Sequence, residues 1–258
     1  MSADLFDLSG QVALVTGAAS GIGWAIAQVF AAQGAAVLLA DRDAVACGRQ
    51  AGVLREQGHD AAALPCDVSR RAEVQRLVDD ALALRGRIDA LVCNAGVAGP
   101  VGPIAQARDV DWEQVMNVNL RSALWLTSRV IPGMAQRGGG SVTLMASIAA
   151  LRGNKAIGLY GLSKAALAQL ARNLAVEWGP QAVRVNAISP GLVRTPFAQG
   201  MLDDEALMAR RLSLTPLRRV GAPEEVAGVA AMLASRAGAF ITGQNLVVDG
   251  GTTISDGN

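Results

Sequence analysis

Tyr160 is the only tyrosine in this 258-residue chain, and Lys164 is one of its two lysines among 23 basic residues. They stand four apart in "LYGLSKAAL", inside a stretch of helical period over 157–178. Residues i and i+4 share one face of a helix, so the phenol and the ammonium can enter one cleft together. A phenol with a pKa near 10 is a poor base at neutral pH. A neighbouring cation favours the phenolate, and lowering the pKa by about three units takes roughly 4 kcal/mol of differential stabilisation. Lysine suits this as a compact point charge with three donors, where arginine would impose a planar fork. The bland reading, an ordinary surface pair at helical spacing, is weakened by Ser147. It stands directly after the strand-like "SVTLMA" (141–146), where a loop side chain faces the cleft of an α/β sheet.

A second group points to phosphate. "VALVTGAASGIGWAIAQVF" places Gly17, Gly21 and Gly23 between a strand and a helix. Glycines there let the turn tighten and the backbone approach a pyrophosphate, whose charge a helix N-terminus favours. Asp41 follows at the carboxyl end of the second apolar run, where the adenosine ribose of a dinucleotide lies, and it would hydrogen-bond a free 2′-hydroxyl and repel a 2′-phosphate. A helix N-cap is the competing role for Asp41. Arg42 is the residue that could instead clamp a 2′-phosphate.

Other chemistries lack their parts. His59, the only histidine, lies in the polar stretch "EQGHDA" and reads as a surface residue. A Ser–His–Asp hydrolase or a catalytic zinc needs more than one loop histidine and three dispersed cysteines. Cys47, Cys66 and Cys93 form no CxxC pair and read as reduced and buried. No metal is expected. A net charge of +1, with arginines scattered among acidic neighbours, leaves no nucleic-acid footprint. The longest apolar runs are too short for a bilayer span. The start "MSADLFDLSG" lacks a signal peptide's basic and apolar regions, so a cytoplasmic location is expected.

The elements that must position these residues alternate along the chain. Strands are predicted at 12–16, 36–40, 61–64, 90–94, 141–146, 183–189 and 245–249, and helices near 22–33, 43–57, 70–85, 109–137, 157–178 and 223–235. With 51% hydrophobic and 17% charged residues, the chain can fill one core. The rhythm predicts a single α/β domain over 1–258, a Rossmann-like, doubly wound parallel sheet of about seven strands with helices on both faces. Residues 195–215 break the rhythm and read as a substrate lid.

Taken in order, "TGAASGIG" (16–23), "CDVS" (66–69), "CNAG" (93–96), Asn119, Ser147, "YGLSK" (160–164) and "SPGLVRTP" (189–196) resemble the short-chain dehydrogenase/reductase family. The resemblance runs from near residue 9 to "ITGQNLVVDGG" (241–251). It implies that Ser147 holds the substrate oxygen, Tyr160 acts as acid–base residue, and Lys164 activates Tyr160 and binds ribose. Asn119 would be the fourth catalytic member, its side-chain amide loosening the helix and holding a water on the way from Lys164 to solvent; Asn117 competes for that role. For the cofactor it implies Gly17, Ser20, Gly21, Ile22, Gly23, Asp41 and Arg42 at the adenosine and pyrophosphate. Asp67 and Val68 would border the adenine, Asn94, Ala95 and Gly96 the nicotinamide ribose, and the Val193 backbone and Thr195 hydroxyl the carboxamide, with Tyr160 and Pro190 also at the cofactor. Asp67 also reads as a turn former and Thr195 as a cap before Pro196.

The expected activity is NAD(H)-dependent interconversion of a secondary alcohol and a ketone, with NADP less favoured. A 3-oxoacyl carrier-protein reductase using NADPH is the rival enzyme, although "VEWGPQ" (176–181) lacks basic residues for an acidic carrier. A dinucleotide-binding scaffold is the rival of another class. Lid residues Phe197, Met201, Leu202, Leu207, Met208 and Leu212 stand at near-helical spacing, and Leu192, Phe197 and Met201 are expected beside Ser147 and Tyr160 at the substrate. If the stripe lines the cleft, the substrate is moderately apolar. The family usually forms homotetramers through its two long helices, here 109–137 and 157–178.

Overall fold

Each predicted apolar run becomes a strand in the computed structural model, which describes residues 5–255. Residues 1–4, the start of the N-terminal stretch read above, and 256–258 lie outside it. The strands are β1 (Val12–Thr16), β2 (Ala36–Ala40), β3 (Ala61–Ala63), β4 (Ala90–Cys93), β5 (Gly140–Met145), β6 (Val183–Pro190) and β7 (Asn245–Val248). They pair in parallel in the order β3-β2-β1-β4-β5-β6-β7. Two-residue periodicity sends Leu14, Leu38 and Leu91 into one apolar layer and Ala13, Val15, Val37 and Leu39 into the other. Burial on both sides explains why these strands read as unbroken apolar runs.

Helices α1 (Gly21–Ala32) and α2 (Ala44–Glu56) cover one face with the late helix Pro223–Ala234. The opposite face carries α3 (Arg71–Arg85), α4 (Asp109–Met116), α5 (Ser122–Gln136) and α6 (Gly158–Trp178). The segment 195–215 holds α7 (Gln199–Leu202) and α8 (Glu205–Ser213), and Pro223–Ala234 is α9. Helix ends follow the punctuation of the sequence: Gly34, Gly58 and Gly86 adopt positive φ directly behind α1, α2 and α3.

Two segments differ from the sequence reading. The stretch 109–137 is not one helix, because a π-turn at Asn117–Arg121 separates α4 from α5. The wider i→i+5 turn brings Asn119 inward, where it is 2% exposed, so the loosening expected at this residue is present. The helical stripe over 197–212 is broken at Asp203–Asp204, and the Asp204 carboxylate accepts from the Leu207 amide at 2.9 Å to start α8 afresh.

Strand order reverses between β1 and β4, which opens a crevice beyond their carboxyl ends. Cys47, Cys66 and Cys93 are buried and unpaired, and burial pushes their thiols up to about 11, 12 and 12. No helix among the described residues is long and apolar enough to cross a membrane.

Candidate active site

The crevice is a continuous cleft of ≈ 610 Å³. Its floor starts at the glycine turn after β1. Gly17 has φ +65°, and a Cβ there would stand 2.8 Å from Asn94 Nδ2. Asn94 ties the two switch-point strands together, its Nδ2 donating to the Thr16 and Gly17 carbonyls at 3.0 and 3.1 Å. The Asn94 and Ala95 amides donate in turn to Thr16 Oγ1 at 3.1 and 3.2 Å. Ser20 starts α1 without a side-chain cap bond, and Ser20, Gly21 and Ile22 line the cleft, leaving the helix N-terminus open to an anion.

Gly23 does not line the cleft, which corrects its expected place at the cofactor. It packs beneath the turn, where a Cβ would lie 2.1 Å from the Gly17 carbonyl oxygen. Gly23→Ala therefore pushes α1 away from the turn. We expect at least an approximately tenfold loss of dinucleotide affinity by fluorescence titration, the scale of one charge-assisted hydrogen bond; unchanged affinity would show that the turn tolerates the shift.

At the far end, Asp41 accepts from the Ala19 amide through Oδ2 and the Asp43 amide through Oδ1, both at 3.1 Å. The N-cap role falls to Asp43, whose carboxylate accepts from Ala46 at 2.9 Å, so Asp41 does not cap α2. Arg42, Asp67 and Val68 line this end, joined by Arg49, which the sequence reading missed. Asp67 holds its own turn as well, accepting from the Ser69 amide and hydroxyl at 3.0 and 2.7 Å.

At the other end Ser147, Tyr160 and Lys164 come together. Ser147 Oγ accepts from the Ala149 amide at 3.1 Å, and Ser147 lines the cleft with Tyr160. Lys164 is 3% exposed, and its Nζ donates to the Met145 carbonyl at 2.7 Å while standing 5.5 Å from the centre of the Tyr160 ring. Burial pulls the ammonium down to about 8. Burial also pushes the Tyr160 phenol up, with the Ser147 hydrogen bond opposing it. This reverses the expected direction. In the protein by itself the ammonium faces a carbonyl, and a low-dielectric pocket penalises both ions of the pair. Phe197, just before α7, packs against Tyr160, ring centres 6.1 Å apart.

Asn119 lies behind the cleft wall rather than on it. Its Oδ1 accepts from the Val97 amide at 2.8 Å, and its Nδ2 donates to the Val97 carbonyl at 3.0 Å and to Ser163 Oγ at 2.9 Å. The amide thus clamps the loop after β4 to α6. Asn117 accepts from Arg121 on the helix surface and does not reach the cleft. Ser163, buried and donating to the Tyr160 carbonyl at 2.8 Å, was missed in the sequence. The small-residue requirement at Gly96 has a local cause, because a Cβ there would stand 3.3 Å from Lys164 Nζ and 3.4 Å from Asn119 Oδ1.

Ala95, Gly96, Pro190, Leu192, Val193 and Thr195 line the middle of the cleft. The Thr195 hydroxyl donates to the Val193 carbonyl at 3.3 Å, and Thr195 stands at the N-cap of the 3₁₀ turn Pro196–Ala198 without a side-chain cap bond. Of the apolar lid stripe only Phe197 and Met201 reach the cleft; Leu212 lines a smaller cavity, and Leu202, Leu207 and Met208 line neither. Arg152, Asn154 and Arg211 enter the same end, unforeseen in the sequence. His59 is half-buried before β3 and does not line the cleft.

A family model described as enoyl-(acyl carrier protein) reductase matches residues 17–253. The chain is 38% identical over 244 residues to dehydrogenase/reductase SDR family member 4 of Oryctolagus cuniculus, covering 95% of this chain and 94% of that protein. A gluconate 5-dehydrogenase from Burkholderia cenocepacia, solved with NADP and tartrate, superposes with a TM-score of 0.94 at 32% identity and 98% coverage of both chains. A 7α-hydroxysteroid dehydrogenase complexed with NADH and 7-oxo glycochenodeoxycholic acid superposes at 0.93, with 35% identity and 97% coverage of both.

Proposed function

The chain belongs to the short-chain dehydrogenase/reductase family, and on that premise we propose that it interconverts a secondary alcohol and a ketone by hydride exchange with NAD(H). The observation that carries this reading is the meeting of Ser147, Tyr160 and Lys164 at one end of a cleft whose other end is the glycine turn and Asp41. A non-catalytic scaffold has no use for the buried Lys164 beside a phenol.

The cleft fits a dinucleotide because no Cβ fills the turn at Gly17 and Gly21, and the amino end of α1 opens beside them. Ser20, Gly21 and Ile22 would hold the pyrophosphate, Asp41 the adenosine ribose, Asp67 and Val68 the adenine, Lys164 the second ribose, and Val193 and Thr195 the carboxamide. When bound, the nicotinamide dinucleotide supplies the hydride acceptor or donor. Tyr160 moves the proton at the substrate oxygen, removing it during oxidation and returning it during reduction. Ser147 hydrogen-bonds the same oxygen as its charge changes. Lys164 supplies a positive charge that favours the phenolate form of Tyr160 as the pair works. Asn119 and Ser163 act as positioning residues for the helix that carries both.

Relatives of this chain have been solved with NADP and with NADH, so the preference for NAD rests on Asp41, which presents a carboxylate toward the expected ribose. Asp41→Ser removes that charge while keeping an acceptor. The ratio of kcat/KM for NAD to that for NADP is expected to fall at least about tenfold; a wild-type preference for NADPH would show that Arg42 and Arg49 override Asp41. The reaction itself is tested by following NADH absorbance with a panel of ketones, and absence of turnover with both coenzymes rejects it. The exposed end of α6, with Val176 and Glu177, offers no basic patch to an acidic carrier protein. Exposed Val110, Trp112, Leu124 and Leu162 on α4, α5 and α6 support a homotetramer built on those faces.

A further inference from the structure

Arg152 and Arg211 bring two positive charges to the reacting end of the cleft. Arg152 comes from the loop behind the 3₁₀ turn Ile148–Ala150, and Arg211 from lid helix α8. Arg211 also lines the smaller cavity of ≈ 120 Å³ beside Ile148 and Leu192, so it stands where the residue following Ser147 meets the lid. Both side chains are half-buried. Among the described residues neither guanidinium has a carboxylate within ion-pair distance, whereas Arg70, Arg87, Arg108 and Arg219 do.

The nearby acids are already engaged. Glu225, on the smaller cavity, pairs with Arg219 and accepts from the Ala222 amide. Asp249 accepts from the Gly251 and Thr253 amides. The carboxylates that line the main cleft, Asp41, Asp43 and Asp67, belong to its opposite end, at β2 and behind β3. Burial, then the charges of Arg152 and Arg210, hold the Arg211 guanidinium below its usual range. Like charges gathered in one partly desolvated pocket are unfavourable unless an anion completes the group. Guanidinium forks match planar oxyanions through paired hydrogen bonds.

We propose that the substrate carries a carboxylate that binds between Arg152 and Arg211 while its alcohol or ketone carbon lies at Ser147 and Tyr160, so that the substrate class is a hydroxy acid and its oxo acid. This amends the moderately apolar substrate expected from the lid stripe, of which only Phe197 and Met201 reach the cleft. The substrate class rests on the dehydrogenase reading; the anion site stands apart from it.

The test separates the two. Titration calorimetry of the whole protein with hexanoate, hexanamide and inorganic phosphate measures the site without turnover. Hexanoate is expected to bind at least about tenfold more tightly than hexanamide, the scale of one charge-assisted hydrogen bond. Arg152→Met and Arg211→Met should each erase most of that preference, while Arg211→Lys, which keeps the charge, should retain part of it. Equal binding of acid and amide, or a preference that survives the double Met variant, overturns the proposal. Phosphate binding more tightly than hexanoate with the same arginine dependence overturns the carboxylate assignment. Turnover is then compared for a secondary hydroxy acid and its methyl ester. Arginine-dependent binding with no coenzyme reduction from either compound leaves the anion site intact and removes the dehydrogenase reading. Equal kcat/KM for acid and ester, unchanged in the Met variants, removes the proposal and leaves the dehydrogenase reading intact.

Discussion

Tyr160→Phe is expected to lower kcat by about a thousandfold while leaving coenzyme affinity within a few-fold of wild type. Positioned acid–base catalysis contributes about 10²–10⁴ in rate, and here one hydroxyl would supply it. The phenyl ring of the variant still packs on Phe197, and Lys164 keeps its bond to the Met145 carbonyl, so the walls of the cleft survive the change. Ser147→Ala should cost less, because it removes a hydrogen bond to the substrate oxygen and leaves the proton-transferring phenol in place. Since both hydroxyls act on one substrate oxygen, the double variant should lose little more than Tyr160→Phe alone. Steady-state rates and coenzyme titration on the three variants decide it. Turnover within tenfold of wild type in Tyr160→Phe rejects the assignment of the proton to this residue.

What could be read from the sequence depended on how local the cause was. β1 and β2 fall at the predicted boundaries, Val12–Thr16 and Ala36–Ala40, because doubly buried strands write themselves as apolar runs. The Tyr160–Lys164 pair was legible because helical spacing alone puts i and i+4 on one face. The sign of the Tyr160 shift was not, since it depends on how deeply the phenol is buried and on Lys164 finding Met145, nineteen positions away in the chain. Asn119 shows both sides of this. A polar amide inside an apolar helix marked the site of the π-turn, but its partners Val97 and Ser163 come from the β4 loop and α6, which only the fold brings near. Gly23 read as a phosphate contact because its spacing from Gly17 and Gly21 is local; its true neighbour, the Gly17 carbonyl, lies beneath the turn. Arg152 and Arg211 carried no local signal among 23 basic residues.

Lys164 is expected to make the protein more stable as pH rises through about 8, against the usual trend for alkaline solution. Burial holds its folded-state pKa near 8, against 10.5 in the unfolded chain. Below pH 8 both states carry the proton, and the fold bears the full cost of a desolvated ammonium. Between 8 and 10.5 the unfolded chain binds more protons than the folded one, so stability rises with pH. At about 1.4 kcal/mol per unit, the gain amounts to about 3 kcal/mol. The thiols act in the opposite direction: with pKa values raised from 9.0 to about 11, 12 and 12, Cys47, Cys66 and Cys93 favour the fold less as the unfolded thiols ionise above 9. Lys164→Met cancels that background, because all three thiols remain. Urea unfolding from pH 7 to 10.5 should show the wild type gaining about 3 kcal/mol on the variant, whatever constant offset the loss of the Met145 hydrogen bond adds. A difference that stays flat with pH would mean that the amine keeps its ordinary affinity for protons in the fold, and the reading of Lys164 as a costly cation retained for its effect on Tyr160 would go with it. The same variant should lose most of its kcat/KM, since the charge that strains the fold at neutral pH is the one that favours the phenolate during turnover.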